Sequence, residues 1–246
     1  MHAVSADNFN PEYLQINPMG TVPSLIAPSL DSPLTDSRTI LEYLDKSKGP
    51  SLAPLDDRSK ATMQAIIDLV HSDDVGTNLI LLRARDPGEY QNKRTGPFGA
   101  FIATRQRKLE YLHSENPDHS FYGPKSKENG MLHRLYITDL SDEHQAFFRE
   151  THEGYVKFAR EMDRLETLLV LPYATGEQVT LADLHAVPWL AHAMAFVDTK
   201  EIGDLSKLEA HIQKSVPNFR IGPKLHKWWE NYTSRAAFKE IYPELH

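Results

Sequence analysis

The stretch NPMGTVPSLIAPSLDSPLTDSRTILEYLD, residues 17–45, constrains the fold more than any other part of the chain. It places prolines, a glycine and a short apolar run ahead of a capped amphipathic helix. VPSLIAP is long enough for one strand, and SPLTD can be its hairpin partner across SLD. Thr35 or Asp36 can cap the helix that follows, whose apolar positions Ile40, Leu41 and Leu44 share one face. A proline directly after Val22, ahead of a strand, fits a cis bond at a tight turn. Such a turn leaves the Val22 amide and carbonyl outside the sheet edge, free to pair with a peptide-like ligand by strand addition. Asp36 and Ser37 stand at a helix start, where free N–H groups and the positive dipole end favour a carboxylate, and Ser37 can donate one more hydrogen bond. The combination describes a site for a small extended peptide, its backbone on Val22 and its carboxylate at Ser37. The same residues also read, more plainly, as a β-turn and an N-cap.

The remainder of the chain divides around this stretch. HAVSAD alternates weakly, as a short strand does, and NPEYLQINP reads as a helical turn bounded by prolines. KSKGPSLAPLDDR, residues 46–58, is a proline- and glycine-bearing linker that separates an N-terminal domain at 1–48 from a second domain at 58–246. The second part reads as helical. KATMQAIIDLVHSDDVGTNLILLRAR spaces Met63, Ile66, Ile67 and Val70 as one helical face, and FGAFIATRQRKLEYLHSE repeats the pattern. RDPGEYQNKRTGP and NPDHSFYGPKSKENG read as loops. A long helix is expected from about Asp142 to Leu171, spanning roughly 45 Å at 1.5 Å per residue. In VTLADLHAVPWLAHAMAF, Thr180 at the N-cap with Asp183 three residues on forms a carboxylate capping box, flanked by a Val179–Leu184 staple. That helix has hardly any polar face, and Pro188 predicts a bend in it. The expected class is therefore α+β.

Composition narrows the chemistry. The 246 residues carry a formal charge of −7 and no cysteine. An acidic balance argues against a nucleic-acid partner, and the absent thiols exclude disulfides, thiolate zinc sites and a catalytic cysteine on this chain. MHAVSADNF has neither the charged start nor the apolar stretch of a signal peptide, and no run of about 18 apolar residues occurs, so a cytoplasmic protein without a membrane segment is expected. Twelve histidines invite a metal reading. His185 and His192 can face the same way, but no HExxH motif accompanies them and no metal site is expected. GPFGAF and TGEQVT lack the Lys-Ser/Thr of a phosphate loop.

NPEYLQINPMGTVPSL and LTDSRTILEYLD, followed by a helical region containing TLADLHAVPWL, resemble the glutathione transferase family. Asn17–Leu25 matches its NPxGxVPxL element, Asp36–Ser37 its acidic-Ser pair, and Thr180–Asp183 its helical capping motif. The resemblance implies a thioredoxin-like N-terminal domain, here incomplete, before an all-α C-terminal domain. It implies that Val22, beside cis-Pro23, pairs with the cysteinyl backbone of glutathione, and that Asp36 and Ser37 hold the γ-glutamyl end. Glutathione would be the co-substrate, with a small hydrophobic electrophile as its partner and a homodimer as the assembly. The family's first strand and helix, which carry the thiol-activating Tyr, Ser or Cys, have no counterpart here, so the edge of PSLIA is to be paired by HAVSAD, covered by a partner, or completed by a segment upstream of Met1, the last being the expectation. Ser5 lies near but on the wrong element, so the catalytic residue stays unknown.

Two functions fit this reading. The first is an enzyme that conjugates glutathione to an electrophile, or uses it in elimination or isomerisation. For this, the tripeptide's thiol must be held as thiolate. The helix bearing His71 and Asn78, with the insert after Arg83, would line an apolar second-substrate cleft. The closing WWENYTSRAAFKEIYPELH resembles fungal and bacterial members, which suits a role in secondary-metabolite biosynthesis or detoxification. The alternative is a non-catalytic binding or dimerisation protein retaining half a glutathione site.

Overall fold

The computed structural model describes residues 6–199 and 201–242, so the expected strand HAVSAD falls mostly outside the described residues, as does Ser5. A 3-10 turn at Asp7–Phe9 leads into helix α1 (Pro11–Ile16), and the proline-rich stretch then runs to α2 (Ser37–Ser47). There follow α3 (Asp57–Val70), α4 (Asn78–Leu82), α5 (Pro87–Thr95), α6 (Pro97–Glu115) and α7 (Tyr122–Ile137). The last five are α8 (Asp142–Leu168), α9 (Leu181–Ala195), α10 (Ser206–Gln213), α11 (Pro223–Thr233) and α12 (Ala236–Ile241). Two compact units result: the residues up to Ser47 with Ala84–Ala146, and Lys48–Arg83 with the residues from Phe147 onward.

The α+β expectation holds only loosely, because β pairing among the described residues is reduced to isolated bridges. Leu25 and Leu34 exchange both backbone hydrogen bonds, at 2.8 and 2.9 Å, which realises the VPSLIAP–SPLTD hairpin as a single rung. In an antiparallel ladder the next hydrogen-bonded rung would pair residue 23 with 36. Pro23 has no N–H to offer, so the ladder ends there.

Two segments that read as loops are helices. Asp86 accepts the Glu89 amide at 2.8 Å as an N-cap, and Pro87 occupies the first turn of α5. The sequence signal was present in DPGE, since a first-turn proline gives up only an amide that is orphaned anyway. In α7, Pro124 likewise falls in the first turn, and Gly130 meets Gln106 of α6 so closely that a Cβ there would sit 3.3 Å from the amide nitrogen. Conversely, the apolar run from Lys60 to Arg85 is not one helix. It breaks after α3 at His71, passes through a 3-10 turn at Asp73–Val75 and resumes in α4. α9 continues through Pro188 to Ala195.

The second unit is built around α9, whose Ala186, Leu190, Ala193 and Met194 are fully buried beside Tyr155, Phe158, Trp228 and Trp229. Within this apolar mass lies the Asp183 carboxylate. One oxygen accepts the Thr180 amide at 2.8 Å; the other accepts the Ala174 amide at 2.9 Å and the Trp228 indole N–H at 2.8 Å. A single side chain thus caps α9, fixes the preceding loop and ties in α11. Glu166 plays a related part from α8, accepting the Lys224 and Leu225 amides at the start of α11 at 2.9 and 2.7 Å. Burial pushes the Asp183 carboxyl above the usual carboxylate range, although its hydrogen bonds pull the other way.

Asp183→Ala would strand three buried or capping donors, each costing about 1–3 kcal/mol. The expected result is a loss of about 3 kcal/mol or more in chemical denaturation, with a smaller loss for Asp183→Asn. Burial, followed by the negative charge of Asp183, pushes the Tyr232 phenol up to about 12. The folded state therefore keeps this proton over a window in which the unfolded chain, at the ordinary value of about 10, loses it. Stability should fall as the pH rises from 10 toward 12, and Tyr232→Phe should flatten that part of the stability–pH curve.

Candidate functional site

The candidate site grows from the end of α1. Asn17 closes the helix through its amide to the Tyr13 carbonyl, at 2.9 Å, and is wholly buried. Its Oδ1 accepts the Met19 amide at 3.0 Å, and its carbonyl accepts the Gly20 amide at 2.9 Å. Its Nδ2 lies 2.8 Å from the Thr21 carbonyl, 2.9 Å from the Thr21 hydroxyl and 3.2 Å from the Ser24 hydroxyl. The Tyr13 hydroxyl donates to the same Thr21 carbonyl and lies 2.9 Å from Ser24 Oγ. Gly20 has φ +62°, which a side chain would resist.

Between the two clamped residues sits the Val22–Pro23 bond, which is cis. Val22 is half exposed, and among the described residues neither its N–H nor its C=O has a hydrogen-bond partner. Thr21 and Ser24 are held from behind, so the open backbone edge of Val22 is held in place. Neither Tyr13 nor the three-way use of Asn17 was singled out from sequence. The available signal was an Asn between the end of a short helix and a proline.

The second element lies at the mouth of α2. Asp36 Oδ1 accepts the Arg38 amide at 3.0 Å and the Thr39 amide at 3.3 Å, so Asp36 and not Thr35 is the cap. Its Oδ2 takes no bond from the described residues, and neither does the amide or hydroxyl of Ser37. The hairpin rung relates the two elements. In antiparallel pairing, the chain entering Leu25 and the chain leaving Leu34 run off the same end. The register that pairs 25 with 34 would carry 22 opposite 37. Val22 and Ser37 are each three residues beyond the rung, on the two stretches of chain that run off that end of the hairpin.

The other sequence candidates fall elsewhere. His71 and Asn78 are exposed residues of the second unit. His71 bonds His185 at 2.9 Å between Nε2 and Nδ1, and His192 bonds the Thr77 hydroxyl at 3.0 Å. Between these contacts, Trp189 donates to the Val75 carbonyl at 2.9 Å. The α9 face that carries both histidines thus fastens the 71–77 segment. Thr180 and Asp183 make the capping contacts already described. Among the described residues no three His, Cys, Asp or Glu side chains gather as a metal group, and no helix is long and apolar enough to cross a membrane.

Residues 2–47 match a model of the glutathione S-transferase N-terminal domain. The chain is 26% identical over 237 residues to glutathione S-transferase F13 of Arabidopsis thaliana, an alignment that covers 96% of this chain and 78% of that protein. Among solved structures it is similar to the β-etherase LigF of Sphingobium sp. strain SYK-6, at 19% identity and a TM-score of 0.57, over 98% of this chain and 86% of that one. It is also similar to glutathione transferase F7 of Populus trichocarpa, at 18% identity and a TM-score of 0.52, over 100% and 85% of the two chains. At these identities the structural likeness speaks to the fold: a thioredoxin-like N-terminal domain and a helical C-terminal domain. The match of the N-terminal segment to that domain and the alignment of nearly the whole chain with a plant relative support a glutathione S-transferase family member.

Proposed function

We propose that this chain binds glutathione at the open end of the Leu25–Leu34 hairpin and presents its sulfur to a small hydrophobic electrophile. The observation that carries this reading is the pairing of two unsatisfied elements there. The Val22 amide and carbonyl match the cysteinyl amide and carbonyl of an extended tripeptide. At the other element, the γ-glutamyl carboxylate suits the Ser37 amide and hydroxyl at the positive end of α2. The γ-glutamyl ammonium suits the outward oxygen of Asp36.

The chemistry this supports is attack by the glutathione thiolate on an electrophilic carbon. A C–S bond forms, a leaving group departs with its electron pair, and the thiol proton passes to water; elimination and isomerisation use the same thiolate. Positioning alone does not complete this step, which requires the thiol, pKa about 8.5 when free, to be lowered toward neutrality. The arrangement of a domain at 1–48 and an all-α domain at 58–246, a homodimeric cytoplasmic assembly, and a place in secondary-metabolite biosynthesis or detoxification complete the proposal.

Calorimetric titration with reduced glutathione should give one site per chain. Ser37→Ala should weaken it about tenfold or more, the usual cost of a hydrogen bond to a charged group. Binding by wild type that survives Ser37→Ala unchanged would refute the assignment of the γ-glutamyl end. Ultraviolet titration of the bound thiol should place its pKa below the free value. Binding without that shift would instead identify a non-catalytic glutathione-binding protein.

A further inference from the structure

The helical segment inserted after Arg83 does more than extend the chain, because part of it reaches the back of the Val22 turn. Phe121 stands immediately before α7, its amide donating to His119 Nδ1 at 3.2 Å. Its ring comes up against Gly20: a Cβ on that glycine would sit 2.8 Å from the ring's Cζ, 3.0 Å from its Cε2 and 3.3 Å from the Asn8 carbonyl. The adjoining contacts leave the ring little freedom. Phe9 packs 5.5 Å from it, centroid to centroid, and the Arg105 guanidinium of α6 lies 4.4 Å over Phe9. The Tyr122 hydroxyl donates to the Phe9 carbonyl at 2.8 Å. Asn8 Nδ2 in turn donates to the Gly20 carbonyl at 2.5 Å. Gly20 is thus gripped by Asn17 in front, Asn8 at its carbonyl and Phe121 behind, and it lies two residues before Val22.

We propose that Phe121 is a positioning residue for the bound tripeptide: its ring presses on Gly20 and so sets where the free backbone edge of Val22 stands. The inserted α6–α7 segment is on this view part of the glutathione site and tunes its affinity, which sets it apart from a simple wall for the second substrate. Backbone pairing depends steeply on donor–acceptor distance. A turn that can retreat into the space left by a missing ring loses that alignment while its fold persists. The inference rests on the glutathione reading of Val22.

The test compares Phe121→Ala and Phe121→Leu with Leu109→Ala. Leu109 is fully buried in the same apolar cluster but is not among the atoms nearest Gly20. All three variants lower the thermal midpoint, as cavities do. Only the Phe121 variants should raise the glutathione dissociation constant by calorimetry, about fivefold or more for Ala and a smaller amount for Leu, from loss of alignment. Wild-type binding with an unchanged constant in both Phe121 variants overturns the inference and leaves the glutathione site standing. An equal rise in Leu109→Ala overturns it too, since general loosening would then explain the effect. If Phe121→Ala does not fold, Phe121→Leu alone decides, and a constant within error of wild type refutes the proposal. A wild-type chain that binds no glutathione sinks the reading of the site itself, and this inference with it.

Discussion

Two hydrogen bonds between Leu25 and Leu34, and the proline two residues before Leu25, govern the part of this protein that carries the candidate site. The rung brings two distant stretches of chain to one end of a hairpin. Pro23 ends the ladder, and Val22 falls at a position where this register forms no hydrogen bond to the partner strand. The candidate site thus lies at the end of a one-rung hairpin, and the turn beside it is held by the side chains of Asn17 and Tyr13. Asn17 and Tyr13, both buried, bond the residues on either side of Val22–Pro23, so the exposed edge is backed by a partly buried polar cluster. Satisfied polar clusters of this kind rigidify a local structure more than apolar packing of equal size, because each bond has a direction.

The second unit solves a different problem, the packing of an almost entirely apolar α9. Such a helix has no polar stripe to fix its rotation, and apolar packing alone tolerates several arrangements. Asp183 removes that freedom by bonding a loop amide, its own helix start and an indole on α11. The polar contacts further along it, His185 to His71, Trp189 to Val75 and His192 to Thr77, fix the same helix against the connection between α3 and α4. A buried carboxylate is costly in isolation. Here three N–H donors offset that cost, and specificity is the return.

The inserted helices between Ala84 and Ala146 join the N-terminal residues in one compact unit. Their aromatic residues Phe121 and Tyr122 meet Phe9 and Gly20. A segment that reads from sequence as loops and one amphipathic helix therefore packs against the residues that precede Val22.

The sequence by itself determined the local chemistry: the proline-bounded hairpin, the helix start at Ser37, and the Thr180–Asp183 cap. In each of these, residue type and spacing alone specify a backbone geometry within a few residues. It also carried enough of the NPxGxVPxL and TLADL patterns to point to the family. It did not show that α5 and α7 are helices, because weakly amphipathic segments rich in Gly, Pro and charge look like loops until a neighbour buries one face. Nor did it show that Asp183 bonds Trp228, that His185 meets His71, or that Phe121 rests on Gly20. Those contacts join residues 45, 114 and 101 positions apart, respectively. Only the packed chain brings such residues together, since no local periodicity encodes a partner that far away.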